Sequence, residues 1–274
     1  MSDPHVPTGG SSRQLRSAVI SVSRMPELSV LAWLLLAFAA LLVGLSKTAL
    51  PGSNTISVAV FAALLPAKQS TGALLVLLIV GDAFAVWAYR RHASWPVLRR
   101  LVPTVLAGLV LGALFLAVAS DAEVRRVIGV ILLAVIALTL VRRHVTRHRQ
   151  HEPESRTRQH VQSGIYGTLG GFTTMVANAA GPVMSMYFLA SRFSVKTFLG
   201  TAAWFYAVVN LVKVPFSVSL GLITRQTLLL DAVLVPAVVI GALAGRVLVS
   251  RMNQNLFDRL VILLTIGGAL YLLL

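Results

Sequence analysis

Apolar stretches alternate with short polar or basic segments along almost the whole chain from Leu28 onward. They cover residues 28–43, 70–89, 102–119, 124–141, 163–191, 197–218, 227–249 and 256–274. Most approach the length of about 20 residues that a helix needs to cross a bilayer. The pattern therefore predicts an all-α polytopic membrane protein with about eight transmembrane helices.

Two of the apolar stretches are interrupted by small and polar residues. The first break, GLSKTALPGSNTIS, covers residues 44–57, and the apolar piece that follows it at residues 56–65 is too short to span a membrane. The second break, GFTTMVANAAGPVMS, covers residues 171–185. Each predicts a broken or re-entrant first element. Matched interruptions in two halves of a chain indicate the binding site of a transporter.

The two halves also share residue spacings, which indicates an internal duplication. The matched sets are Lys68, Gly72 and Asp82 with Lys196, Gly200 and Asn210, and Pro103, Gly108 and Gly112 with Pro236, Gly241 and Gly245. The sequence leaves the relative orientation of the halves open, because an even number of crossings gives parallel repeats and an odd number gives inverted ones.

These boundaries divide the chain into four parts. A solvated tail covers residues 1–27, a first transmembrane repeat residues 28–141, a basic loop residues 142–162 and a second transmembrane repeat residues 163–274.

Composition supports the membrane assignment. Hydrophobic residues make up 57% of the chain and charged residues 12%, which is too little polar surface for a soluble globule. The net charge of +15 comes from arginines in short loops, as the positive-inside rule describes, so we expect a lipid bilayer rather than nucleic acid as the partner. The absence of cysteine excludes disulfides, thiolate metal sites and thiol nucleophiles.

The basic loop predicts the orientation of the first half in the cell (inner) membrane. Residues 142–160 hold six arginines and four histidines, so we place this loop in the cytoplasm. The loop at residues 90–100 and the N-terminal tail then lie on the same side. In this topology four cations of the second half fall outside, which weakens the pattern there; they are Arg192, Lys196, Arg251 and Arg259.

The first break carries the groups expected of an anion site. Lys47 either extends to the membrane interface along its own stem or faces a cavity and attracts an anion. In the second case the start of a half-helix would assist it, because free N–H groups and the helix dipole favour negative charge. The flanking residues that supply hydroxyl or amide groups are Ser46, Thr48, Ser53 and Asn54.

The second break repeats this geometry without the cation, since Thr173 and Thr174 stand where the first break has Ser46 and Lys47. Asn178 and Gly181 belong to its turn. We expect a site between the breaks with donors from both halves and one fixed positive charge, which suits a small anion.

Three polar residues within the apolar stretches follow the breaks. Asp82 is either a structural ion pair or a proton relay, and Asn210, its counterpart, cannot titrate. Lys213 lies one helical turn from Asn210, where it pairs with Asp82, lines the anion path or extends to a helix end. No paired carboxylates, nucleophile motif or metal-ligand motif occurs within the spans, so we expect no enzyme, no metal and no cofactor. The helically spaced His144, His148 and His151 fit a solvated loop better than a metal site.

Four long strings resemble the sulfite exporter TauE/SafE family of membrane permeases over nearly the whole chain from about Leu28. They are GLSKTALPGSNTISVAVFAALLPAKQSTGALLVLLIVGD, AVWAYRRHASWPVLRRLVP, GFTTMVANAAGPVMSMYFLASRF and KTFLGTAAWFYAVVNLVKVPF. The resemblance implies a duplicated bundle of about eight membrane helices that moves small, mainly sulfur-containing anions such as sulfite or sulfonates. It also implies that the basic loop is the cytoplasmic join between the repeats.

These observations predict a secondary transporter that exports a small oxyanion. A coupled importer of the same solutes and a membrane scaffold without transport of its own are the alternatives. The sequence leaves open the anion, the coupling ion and the oligomeric state, a homo-oligomer included.

Overall fold

A computed structural model describes residues 28–50, 53–128, 130, 131, 134, 156–191, 193–253, 256, 259 and 263. The helices are α1 (Val30–Thr48), α2 (Asn54–Leu64), α3 (Ala67–Tyr89), α4 (Trp95–Val118), α5 (Arg156–Ala177), α6 (Ala180–Ala190), α7 (Val195–Ser219) and α8 (Arg225–Ser250). A 3-10 turn, Arg90–His92, follows α3, and residues 121–128 are also helical. The all-α prediction is confirmed for these residues.

Five helices of the described part are long and apolar enough to cross a membrane: α1, α3 with its 3-10 turn, α4, α7 and α8. We predict about eight spans from the sequence. Of the other apolar stretches, residues 163–191 belong to α5 and α6, residues 124–141 are described at eight positions and residues 256–274 at three. Residues 142–155 of the basic loop, with His144, His148 and His151, and the N-terminal tail lie outside the described residues, whereas residues 156–162 belong to α5. The four-part division of the chain stays a prediction.

The first break turns the chain back on itself. The Ser57 hydroxyl donates to the carbonyl of Ala39 at 2.8 Å, and the Ser53 hydroxyl lies 3.4 Å from the carbonyl of Leu42. Residues later in α2 therefore contact residues earlier in α1, which makes the two helices antiparallel. The pair is a re-entrant hairpin that enters and leaves on the same side of the bundle.

The second break has the same form. The Ser163 and Tyr187 hydroxyls are 2.8 Å apart, and a side chain on Gly170 would meet the Met184 sulfur. Here too, residues later in α6 contact residues earlier in α5, so the two helices are antiparallel. The predicted re-entrant elements are thus present in both halves of the described chain, and each break ends a helix inside the bundle.

The long helices of the two halves run in opposite directions. Gly72 on α3 packs against the Leu222 carbonyl at the end of α7, whereas Gly200 near the start of α7 packs against the Tyr89 carbonyl at the end of α3. Between these contacts Asp82 meets Asn210. Helices α3 and α7 are therefore antiparallel, so these elements of the second half are inverted relative to those of the first.

Close glycine contacts join each half to the other in matched pairs. A side chain on Gly44 of α1 would strike the Val238 carbonyl of α8, and one on Gly241 would strike the Leu41 carbonyl. Between α5 and α4, Gly171 meets the Val105 carbonyl and Gly108 meets the Thr168 carbonyl in the same way. Small residues let membrane helices approach this closely. Internal duplication stays a prediction, which this pairing supports.

The inverted arrangement changes the predicted topology. We call the side with the loop at residues 90–94 the basic face and the side with residues 65–67 the opposite face. Because α1 runs parallel to α3 and α8, Leu28 lies on the opposite face. We had predicted from the sequence that this end of α1 lies on the same side as the basic loop. The error lies in α2, which returns along α1 instead of remaining on the far side.

The same inversion removes the weak point in the charge pattern. Lys196 precedes Gly200, which packs on the basic face, and the Arg246 guanidinium near the end of α8 lies 4.4 Å from the ring centroid of Trp87 near the end of α3. Of the cations expected outside, Lys196 and Arg251 therefore lie on the basic face. They join Arg90 and Arg91 there, as the positive-inside rule requires.

The absence of native cysteine allows a direct test of this topology. We expect His92→Cys and Lys196→Cys to react with a membrane-impermeant maleimide from one side of the membrane. Ala122→Cys and Ser219→Cys should react from the other side, because all four residues are exposed at the ends of the bundle. Labelling of intact cells and of inverted vesicles measures the difference. Reaction of His92→Cys and Lys196→Cys from different sides would contradict the inverted arrangement.

Candidate functional site

The two breaks meet in the interior of the bundle. The side-chain amide of Asn54, at the start of α2, donates to the backbone carbonyl of Asn178 at 3.0 Å. Asn178 ends α5 in the left-handed region with φ of 52°, a conformation that asparagine tolerates better than most residues. Its side-chain amide donates to the Thr71 carbonyl of α3 at 2.8 Å. Asn178 thus fixes the second break against both the first break and α3.

Lys47 at the first break is neutralised by a carboxylate. Its ammonium lies 2.7 Å from Asp82 Oδ1 and 4.3 Å from the centroid of the Tyr206 ring. The second oxygen of Asp82 accepts a hydrogen bond from the Asn210 amide at 2.6 Å. Lys47 therefore does not extend to the interface. The ion-pair interpretation of Asp82 fits this geometry, with Lys47 as the partner.

Lys213 brings a second cation to the same place. Its ammonium donates to Asn178 Oδ1 at 2.5 Å and to Thr174 Oγ1 at 3.3 Å, and Asn210 Oδ1 lies 3.5 Å away. The side chain is 0% exposed, which rules out extension to a helix end. All three partners are neutral oxygens. Within the described residues, no carboxylate lies within ion-pair distance of Lys213.

We predicted from the sequence that the second break lacks a cation, but Lys213 supplies one. Thr174, which takes the register position of Lys47, accepts a hydrogen bond from Lys213 of α7. Of the three alternatives for Lys213, pairing with Asp82 is not the one in this structure, because Asp82 is occupied by Lys47 and Asn210. The cluster holds two lysines and one aspartate, so with both lysines protonated it carries one excess positive charge.

A pocket lies against this cluster, with about 470 Å³ of space not filled by atoms when the solvent at its mouth is included. Seven predicted residues line it: Ser46, Lys47, Asn54, Thr174, Asn178, Gly181 and Asn210. Leu78, Leu199, Ala202, Ala203 and Tyr206 complete the lining. Asp82 and Lys213 lie directly behind its wall. Asn54 Oδ1 and the Tyr206 hydroxyl are buried without a hydrogen-bond partner, so the hydroxyl is free to donate to a solute, whereas the amide oxygen can only accept.

Three of the predicted substrate-binding residues do not line the pocket, and their hydroxyls bond to backbone carbonyls instead. Thr48 donates to Ala242 of α8 at 2.9 Å, Ser53 to Leu50 at 2.9 Å and Thr173 to Leu169 at 2.8 Å. Thr48 thus joins α1 to α8, whereas the other two bonds are local. Sequence reasoning missed Tyr206, although its position four residues before Asn210 places both on one face of α7.

Over residues 36–272 the chain matches the family Sulfite exporter TauE/SafE. It belongs to this family. Comparison with curated proteins and with solved structures finds no match. The resemblance noted from the sequence is therefore confirmed over most of the chain. A TauE/SafE chain with five long apolar helices in its described part is a membrane transporter.

Family membership gives the pocket a context in transport. The family description concerns sulfite export, so a small anionic solute and a lipid environment follow from it. The description assigns no role to individual residues of this TauE/SafE chain, and the pocket between its two hairpins supplies the candidates.

Asp82→Asn should destabilise the protein by about 3–5 kcal/mol, because it leaves the Lys47 ammonium buried without its counter-ion. The double variant Lys47→Met with Asp82→Asn removes both charges and should recover most of this loss. Thermal unfolding of the detergent-solubilised protein, followed by tryptophan fluorescence, measures both effects. Glu123→Gln, at an exposed position, is the control. If the double variant is less stable than Asp82→Asn alone, the ion pair is not the relevant interaction.

Proposed function

We propose that this TauE/SafE protein exports a small oxyanion, of the sulfite or sulfonate type, through the pocket between the two hairpins. The observation that supports this most is the charge of the cluster behind the pocket. Two buried lysines face one buried aspartate, and an unpaired charge in a membrane interior is costly. An anion in the pocket would supply the missing negative charge.

Helix geometry supports the same class of solute. Both half-helices begin at the pocket, α2 with Asn54 and α6 with Ala180 beside the pocket residue Gly181. The N-terminal end of a helix carries a partial positive charge and directs backbone N–H groups outward. Two such ends converge on the space next to Lys47 and Lys213. A cation would be repelled there, and an apolar solute would leave the polar groups unpaired.

The pocket wall offers further donors for the oxygens of an anion. The Asn54 amide, the Tyr206 hydroxyl and the Lys47 ammonium belong to lining residues, whereas the hydroxyl of Ser46, which also lines the pocket, donates to the Val43 carbonyl at 2.8 Å. The Tyr206 hydroxyl has no partner in the structure, so binding would not break an existing hydrogen bond there. We assign substrate contact to these residues, and to Lys213 the charge that favours an anion over a neutral solute.

The shape of the pocket supports export. Its α7 wall extends from Asn210 to Leu199, next to Gly200 on the basic face. By the positive-inside rule the basic face is cytoplasmic, so the pocket extends toward the cell interior. A membrane potential of about 100 mV, negative inside, favours exit of each negative charge by about 2.3 kcal/mol. Efflux therefore requires no nucleotide and no obligatory coupling ion.

We expect Lys213→Met to lower sulfite flux by about tenfold or more, since loss of about 1.4 kcal/mol of solute stabilisation gives that factor. The double variant Lys47→Met with Asp82→Asn removes a pair of opposite charges and one proposed solute contact but keeps Lys213, so it should retain more flux than Lys213→Met. Lys68→Met, whose lysine is remote from the pocket on the opposite face, is the matched control. Efflux from proteoliposomes under an imposed potential measures all four proteins.

Three results would count against this account. Full flux in Lys213→Met would remove the role of the excess charge. If the double variant loses its flux and Lys213→Met keeps it, Lys47 and not Lys213 supplies the charge that binds the anion. Sulfite flux at the lipid background in the folded wild-type protein would favour a scaffold without transport of its own.

A further inference from the structure

Asp231 of α8 is a buried carboxyl that the anion pocket does not use. Its side chain is 1% exposed, and neither carboxyl oxygen has a hydrogen-bond partner. Asp82 is equally buried, but an ammonium and an amide hold its two oxygens. Among the described residues, the two buried acids of the membrane interior therefore differ, because both oxygens of Asp82 have partners and neither oxygen of Asp231 has one. The burial of Asp231 requires another explanation.

The described parts of the helices that pack on α8 bring no charged or titratable group to the level of Asp231. Helix α8 packs mainly against α1 and α3, with Gly241 at Leu41 and Val238 close to Gly81. Counting back along the parallel helices places Asp231 at the level of residues 28–36 of α1 and 70–78 of α3. These stretches read LSVLAWLLL and STGALLVLL and contain no titratable or charged residue. On α8 itself, the nearest such group is Arg225, exposed six residues earlier at the helix start.

A carboxylate in such a place would lack both water and a counter-ion. Burial of an unpaired ionised carboxylate costs far more than burial of the neutral acid, which carries its own proton. We propose that Asp231 is a proton-binding site of this protein, distinct from the anion pocket. Its position about 9 Å along α8 from Arg225, at 1.5 Å per residue, makes the opposite face its nearer source of protons.

Protonation of Asp231 is coupled to the packing of α8 against α1 and α3. Loss of the proton would leave a bare negative charge between α8, α1 and α3, and α1 carries Lys47 to the anion pocket. A change in this packing would therefore reach the pocket through α1. This coupling rests on the proposed transport function, whereas proton binding by Asp231 does not.

Infrared spectroscopy of the purified full-length protein tests proton binding without any substrate. At neutral pH the wild type should show the carbonyl stretch of a protonated carboxylic acid, with the expected shift in D2O. Asp231→Asn should lose this band, and Asp231→Glu should retain it at a shifted frequency. Asp121→Asn, which alters an exposed carboxylate that accepts backbone N–H bonds from Ala67 and Lys68, should leave the band unchanged.

The proposal is overturned if the wild type lacks this band at neutral pH, or if Asp231→Asn keeps it unchanged. If Asp231→Asn fails to fold, a band that shifts in Asp231→Glu supports the proposal and an unshifted band overturns it. In proteoliposomes, coupling predicts that sulfite efflux responds to acidification of the opposite face in the wild type and not in Asp231→Asn. Absence of flux in every variant, with the infrared result intact, contradicts the transport proposal alone.

Discussion

The ammonium of Lys213, held by three neutral oxygens where two helix breaks meet, is the constraint on which the site depends. Asn178 accepts its shortest hydrogen bond, and the same residue ends α5, contacts Asn54 of the first break and donates to α3. An amide oxygen can stabilise an ammonium but cannot neutralise it. With its proton in place, the ammonium adds one positive charge at the pocket wall, and a mobile anion is the natural counter-ion.

This arrangement requires that the halves be inverted. In the described part of the chain, each hairpin enters from a different face and stops inside the bundle, so the two turns approach each other from opposite sides. The antiparallel pair α3 and α7 then crosses beside both turns and brings Asp82 level with Asn210. Parallel halves would place both turns toward the same face. Inversion thus explains why both turns border one pocket and why Lys196 and Arg251 lie on the same face as Arg90 and Arg91.

Sequence reasoning found more of the pocket-lining residues than of the contacts made by the charged side chains. The breaks, Lys47, Asn54 and Asn178 are visible because a lysine, prolines and small polar residues interrupt apolar stretches, and such interruptions are tolerated only where they line a cavity or are buried in protein. The pairing of Lys213 with Asn178 spans 35 residues and depends on how α7 crosses the second hairpin, which spacing alone does not specify. Asp231 was missed although it interrupts an apolar stretch as Asp82 does, so the sequence carried the signal for it. The direction of the second half was open because it depends on whether α2 returns along α1.

Direct observation of an anion tests the central claim most directly. Selenite resembles sulfite and contains an atom with a strong anomalous X-ray signal, and the unlabelled protein contains no selenium. Crystals of the full-length protein grown with selenite should show one selenium peak in the pocket, bounded by Asn54, Asn178 and Lys47 and next to the Lys213 ammonium. The same crystals of Lys213→Met should lose that peak. An empty pocket in the wild type, or an unchanged peak in Lys213→Met, would contradict an anion site whose charge comes from Lys213.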